Sequence, residues 1–401
     1  MKIVLLTPNY FPEKGACAER VRYLAEFLYQ QGHEVLVVTT LPNYPQGKIF
    51  ETYKNRLYQT ETINKIQVLR YWVYASHNKN LFHRLLTVIS MAIMVLFSWL
   101  KLLKFRPQFV YVQSPPLFLA LSGFILATFC QAKLWLNVSD LWSRVLVDLD
   151  ILQSKRSIIY KLLHKIELFL YAKASFITGQ SQEIINEILP HNTQTILCRT
   201  GVDCALFKPM FLPITEQKLK RQPIRLVYAG LLGLAQGVLA FCQELVLPPL
   251  VELHIYGEGA EKDEIALYLK QNPEKRIFLH PAILQNDLAM ILPTYDIALI
   301  LQCKTIFGTV PSKLYEAVAC GLQVWYLGGG EGANLVQKYD VGQVFSSHQT
   351  CYHTIAQLNH SNFIERQTWQ AHKEKYHQIA LQHFDRQKIL KTCYNFFSNR
   401  A

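Results

Sequence analysis

Lys313 and Glu316 stand three residues apart in FGTVPSKLYEAVACG (307–321). Pro311 and Ser312 suit the first turn of a helix, and an i,i+3 pair shares one helical face. An ammonium and a carboxylate side by side can hold a phosphate and a sugar diol, because a carboxylate accepts two hydroxyl donors at once. A surface ion pair, contributing well under about 1 kcal/mol, is the plain alternative for that spacing. A second candidate is the loop TPNYFPEKGACAERV (7–21), where Gly15 precedes a helix. A glycine there lets backbone N–H groups approach an anion at a helix N-terminus; an ordinary turn is the alternative. A dinucleotide fingerprint needs three spaced glycines, so Gly15 alone disfavours a nicotinamide dehydrogenase. Three more glycine-rich stretches, YAGLLGLAQG (228–237), YGEG (256–259) and GGGEGA (328–333), each follow an expected strand. Together they suggest close backbone approach to a ligand, with Gly230 and Gly233 as candidate contacts. A strand–helix turn explains any one of them.

The elements that must position these residues read as a repeated β–α series. IVLL (3–6), EVLVVTT (34–40), IQVLRYWV (66–73), FVYVQ (109–113), KLWLNV (133–138), ASFIT (174–178) and TILCR (195–199) are strand-like runs. A second series runs from IRLVYAG (224–230) through VELHIYG, RIFLH, DIALIL and LQVWYLG to GQVF (342–345). Most are continuously apolar, as parallel strands covered on both faces are. The expected fold is α/β, two doubly wound Rossmann-like domains joined near residues 205–222. Residues 364–397 read as helical throughout. Ligands of such sheets bind outside the carboxyl ends of the strands.

Half of the 401 residues are hydrophobic and 17% are charged, which excludes a disordered chain. Lys plus Arg outnumber Asp plus Glu by 41 to 29, giving +12 and favouring anionic partners. Nucleic acid is disfavoured because the basic residues flank aliphatic helices rather than interleaving with aromatics. The nine cysteines are scattered without a Cys-x-x-Cys pair, which argues against structural zinc and fits reduced thiols in the cytosol. No signal peptide is read, since the apolar run Ile3–Leu6 is stopped by Pro8. The run Leu85–Leu100 has 16 residues without a charge, short of the roughly 20 a bilayer span needs. Lys79, Arg84, Lys101, Lys104 and Arg106 flank it, with Trp99 at the basic end. Lys155–Lys173 adds five basic residues against one Glu167, with Ile158, Ile159, Leu162, Leu163, Ile166 and Leu170 at helical spacing. Contact with an anionic membrane surface is expected there; a helix buried in the first domain's core is the alternative.

With these motifs in their order, the chain resembles retaining glycosyltransferases of family 4, which have the GT-B fold. It is most similar to the branch of N-acetylfucosamine and related sugar transferases of bacterial surface-polysaccharide assembly. YFPEKGACAERV, QGHEVLVVT, PNYPQGKIF (42–50), VLRYWVYAS (68–76), VSDLW (138–142), TGVDCALFKP (200–209) and VPSKLYEAVACG carry the resemblance, together with the glycine stretches of 228–237 and 256–259. It implies GT-B architecture, the two domains facing across a cleft. Residues 1–205 would be an acceptor-binding domain, with a C-terminal helix around 385–401 packing back on it. Residues 206–384 would bind the nucleotide sugar. Gly15 would lie over the donor pyrophosphate, Lys313 would meet the phosphates, and Glu316 would hold the nucleotide ribose. Residues near Pro281–Leu284 would contact the base, and Glu331, Gly332 and Ala333 would lie near the donor sugar. Asp140 would assist as a base or orient the acceptor; a cap at a strand end is its structural alternative.

The implied reaction is sugar transfer from a nucleoside diphosphate sugar, with retention, to a polyprenyl-diphosphate-linked or other glycan. It calls for no further cofactor and no metal, and no Asp-x-Asp motif is present. The implied location is the cytoplasmic face of the inner membrane, peripheral or monotopic. The chain departs from the family in four places. Gly308 stands at the first Glu of Glu-x7-Glu, Leu231 and Gln236 replace an Arg and a Lys, and Ser139 replaces a His. These departures motivate one alternative, a catalytically silent GT-B subunit supporting a partner enzyme. A sugar-nucleotide 2-epimerase, which shares the fold, is less favoured by the motifs.

Overall fold

The computed structural model describes all residues except 77, 79, 149, 153, 212–222, 235, 304, 305, 359–365 and 399–401. Lys79 and most of the stretch expected to link the domains thus lie outside the described residues. The chain forms two compact units, Met1–Cys198 with Leu390–Ala401, and Arg199–Ile389.

The first unit is built on eight strands: β1 (Lys2–Leu6), β2 (Glu34–Thr40), β3 (Tyr58–Ile63), β4 (Ile66–Tyr71), β5 (Phe109–Ser114), β6 (Lys133–Val138), β7 (Phe176–Gly179) and β8 (Thr195–Leu197). Their order is β3-β4-β2-β1-β5-β6-β7-β8. All neighbours are parallel except β3 and β4, with Leu5 in register with Val37 on one side and Tyr111 on the other. Ile3, Val4, Leu5 and Leu6 are fully buried, as a central strand covered on both faces requires. The strand that sequence reasoning missed is β3, YQTETI. It is an antiparallel edge strand with alternating burial, so it lacks the apolar run that marks the others. Its Glu61 pairs with the buried Arg70 of β4, which also donates to the carbonyl of Phe11.

The apolar run 85–100 is not one helix. Helices Leu81–Leu96 and Trp99–Phe105 meet at a 44° bend. Ser98, at the break, turns its hydroxyl back to the carbonyl of Val95 at 2.6 Å. Among the described residues no single helix is long and apolar enough to cross a membrane.

The second unit has six parallel strands: β9 (Ile224–Ala229), β10 (Val251–Tyr256), β11 (Ile277–His280), β12 (Ile297–Leu301), β13 (Gln323–Leu327) and β14 (Gly342–Phe345). Their order is β11-β10-β9-β12-β13-β14. This is a doubly wound order, with its switch point between β9 and β12. The unit starts earlier than the sequence division at 205/206. Val202 and Phe207 are buried in its core beside Phe384. Val202 and the Phe384–Arg386 strip exchange backbone hydrogen bonds of 2.8 Å. That pairing draws TGVD into the second unit and moves the boundary to Cys198/Arg199.

Residues 364–397, expected to be helical throughout, are interrupted. Helix Arg366–Ile379 widens into a π turn over Ala380–Phe384, Asp385 is extended, and a new helix runs Arg386–Ser398. Phe384 is held by Tyr315 and Tyr339, with ring centroids at 5.1 and 5.2 Å, and Asp385 caps the new helix by accepting the Lys388 N–H. From Leu390 onward this helix belongs to the first unit. Phe397 enters that core against Phe109 (4.4 Å), Trp135 (5.2 Å) and Phe176 (5.3 Å). Replacing a buried Phe by Ala typically costs about 3–5 kcal/mol. Phe397→Ala is therefore expected to destabilise the first unit by about that amount, read as an earlier urea transition in near-UV circular dichroism.

Candidate functional site

Helix Ser312–Ala319 starts behind Pro311, whose extended backbone (φ −61°, ψ 129°) fits the residue before a helix. Its first turn faces the carboxyl ends of β9, β10 and β11. Between them lies a cavity of about 470 Å³, lined by Gly230, Leu231, Tyr256, Ile283, Lys313 and Glu316 among others. The shared helical face expected of Lys313 and Glu316 thus opens into one space.

Rather than closing on Glu316, the Lys313 ammonium stands over the ring of Tyr228, 4.0 Å from its centroid. Burial pulls the Lys313 amine down to about 8, and the carboxylate of Glu316 opposes that shift. Burial pushes the Glu316 carboxyl up, while Arg386 and then Lys313 pull it back. A Cβ on Gly230 would sit 3.1 Å from the Lys313 Nζ. The bare Cα there leaves room for the ammonium.

Other glycines let the loops pack on one another. A Cβ on Gly257 would lie 2.1 Å from the Gly230 carbonyl oxygen, and one on Gly259 2.2 Å from that of Leu232. The two loops are sewn together by Gly230 N–H to Tyr256 O and Leu232 N–H to Glu258 O, both 2.9 Å. These glycines admit a neighbouring backbone. Gly332 similarly lies against the ring of Tyr326.

Of the second-unit candidates, Gly230, Lys313 and Glu316 line the cavity; Gly233, Pro281, Glu331, Gly332 and Ala333 do not. Gly233 packs on the Gln236 side chain. Pro281 is exposed, though its neighbours Ala282 and Ile283 reach the lining. Glu331 is buried and ion-paired with Arg199, which is itself largely buried. Gly308 has φ 73° in a buried position. A glutamate would be strained in that left-handed backbone. Leu231 lines the cavity where a family cation is expected, and it is 62% exposed.

Sequence reasoning missed an aromatic stack that reaches the cavity at Tyr256. Tyr256 stacks on His280 at 4.4 Å, and His280 stacks on His254 with ring nitrogens 2.9 Å apart. Burial lowers both histidines and so favours their neutral forms. Alternate residues 252, 254 and 256 of β10 share one face, which was the available signal.

In the first unit, Gly15 caps helix Ala16–Gln30 with φ 147°, and the Tyr44 ring lies 3.0 Å from where its Cβ would be. Glu13, also missed, is buried and accepts backbone N–H groups from Tyr10 (3.1 Å), Asn43 (3.0 Å) and Tyr44 (2.9 Å). One carboxylate thereby fixes the Gly15 loop to the 43–44 turn. Asp140 follows β6 at the same edge and accepts from Ser139 Oγ at 3.3 Å.

Two doubly wound α/β units, the second with a lysine–carboxylate cavity at its strand ends, make up the GT-B fold. Residues 15–194 match the glycosyl transferase 4-like domain family, so the resemblance drawn from the motifs holds. The chain is 24% identical over 341 residues to the putative colanic acid biosynthesis glycosyl transferase WcaI of Escherichia coli K12, covering 80% of this chain and 82% of that one. Among solved structures, a sucrose-phosphate synthase from Thermosynechococcus elongatus superposes with TM-score 0.73 at 15% identity, covering 99% and 98% of the two chains. HepE of Anabaena in complex with UDP-glucose gives TM-score 0.64 at 15% identity over the whole of both chains.

An anion bound through Lys313 needs the ammonium form. Affinity should be present below the amine's pKa of about 8 and fall as pH rises through it. Calorimetry with inorganic pyrophosphate at pH 7 and pH 9 is expected to show weaker binding at the higher pH.

Proposed function

We propose that the protein is a retaining glycosyltransferase of surface-polysaccharide assembly that takes a nucleoside diphosphate sugar in the second-unit cavity. The observation that carries this reading is the pairing of Lys313 and Glu316 on one wall of a cavity at the carboxyl ends of parallel strands. The ammonium meets the diphosphate, and the carboxylate accepts the two ribose hydroxyls. As the sugar–oxygen bond breaks, negative charge grows on the leaving diphosphate. A fixed ammonium in a partly dry pocket stabilises that charge without reorganising. A fold neighbour lends support, since HepE was crystallised with UDP-glucose. Asp140 is the candidate to orient the acceptor hydroxyl or take its proton, and an N-acetylated amino sugar is the donor suggested by the motif resemblance. Glu316→Gln is expected to weaken nucleoside diphosphate binding by about 1.5–3 kcal/mol. Lys313→Ala should weaken the diphosphate far more than the bare nucleoside. Calorimetry checks both, and equal losses for the two ligands would move Lys313 out of the role.

The acceptor is proposed to be a lipid-linked glycan, reached from an anionic membrane surface. Phe82, Leu85, Phe97, Trp99, Leu100, Ile158, Ile159 and Leu162 are all exposed. Helix Leu117–Phe129 packs against the three helices that carry most of these residues, Leu81–Leu96, Trp99–Phe105 and Ile158–Lys173. Ser122 Oγ donates to Ala92 O on one side, and Phe124 meets Phe169 on the other. The sole acid of the second segment, Glu167, is buried and accepts from Ser143. The outer face is therefore basic and apolar, which suits an interfacial helix. Lys101 is already engaged with Tyr58 and Thr60 of β3. Exchanging Lys104, Arg156, Lys161 and Lys165 for Glu should abolish flotation with phosphatidylglycerol liposomes and leave nucleotide affinity unchanged. Parent-like flotation would remove the membrane surface from the reading.

A further inference from the structure

The cavity accounts for the Lys313 head group but not for what fixes it. Lys313 is the second residue of its helix, on a long flexible stem. Its surroundings disfavour its charge, and the contact that receives the ammonium is an aromatic face, 4.0 Å away. That ring belongs to Tyr228, which is 1% exposed and lies outside the cavity lining. Its hydroxyl is committed as well, donating to Leu231 O at 2.6 Å. Burial pushes this phenol up, so it remains a neutral donor. The bond closes the turn that follows β9, and the same turn brings Gly230 under the Lys313 Nζ.

We propose that Tyr228 is a positioning residue. Its ring seats the Lys313 ammonium and its hydroxyl fixes the Gly230–Leu231 turn, so one buried side chain sets both the cationic and the backbone side of the anion-binding end of the cavity. Attributing that end to a nucleoside diphosphate rests on the function proposed above. The physical basis is the ring quadrupole, whose negative face attracts a cation most strongly when the pair is desolvated. A carboxylate in the same place would also hold the lysine, but it would cancel the charge offered to an anion. A ring holds it and leaves the charge available. With Leu231 and Gln236 at the positions where the family expects cations, the placement of this single ammonium carries more of the binding.

Two replacements separate the ring from the hydroxyl, and both keep the shape of the core. Tyr228→Phe removes only the hydroxyl. Pentafluorophenylalanine in place of Tyr228 keeps the size of Phe and inverts the quadrupole. The titration of Lys313 is followed by 15N NMR of the ligand-free protein, with its resonance assigned through Lys313→Arg. A cation–π contact of ordinary strength predicts that the fluorinated ring lowers the Lys313 midpoint by about 0.5–1.5 pH units relative to Phe. Tyr228→Phe should leave that midpoint near the parent value. It should instead speed hydrogen exchange at the Leu232 amide, which lies in the turn and donates to Glu258 O, by about tenfold. Identical midpoints for the two rings, or unchanged exchange in Tyr228→Phe, would overturn the proposal. Neither measurement uses a ligand. If both changes appear and pyrophosphate still binds Lys313→Met as tightly as the parent, Tyr228 keeps its role and the diphosphate reading is the part that fails.

Discussion

Parallel pairing is the constraint from which the rest follows. Every neighbouring pair in the six-stranded sheet is parallel, so every strand ends on the same edge. The loops that leave β9, β10 and β11 are crowded side by side there. Two chains of peptide groups can pass at that distance only where side chains are absent, and Gly257 and Gly259 meet the need. The closeness of the loops is what turns an edge into a cavity with backbone on two sides. The helix after β12 then closes it with Lys313 and Glu316.

The cavity's electrostatics depend on what is missing as much as on what is present. One ammonium rests on a ring, and one carboxylate has its charge disfavoured by burial. Glu331, which sequence reasoning placed beside the donor sugar, is held by Arg199. A ligand carrying several negative charges would therefore find a site with few competing internal ion pairs.

Strands with continuous apolar runs were legible because burial on both faces leaves no choice of residue type. The edge strand β3 was not, since its stability comes partly from the Glu61–Arg70 pair rather than from apolar content. The placement of Lys313 and Glu316 on one face followed from helical spacing, a local rule. The seat of Lys313 on Tyr228 joins positions 85 residues apart, and no local rule reaches that far. Glycines were legible only in part for a related reason: a sequence shows that a backbone must come close to something, but not that Gly257 and Gly259 meet the next loop. The division at 205/206 missed by a few residues because the pairing of Val202 with the strip near Asp385 is equally non-local.

The last helix carries a consequence for how the molecule comes to be made. Leu390 and Phe397 belong to the core of the first unit, together with Phe109, Trp135 and Phe176. They are translated only after the whole of the second unit. A nascent chain that has just released residue 198 from the ribosome has all eight strands of the first sheet but an open aromatic socket. The first unit to be synthesised is thus the last to be completed.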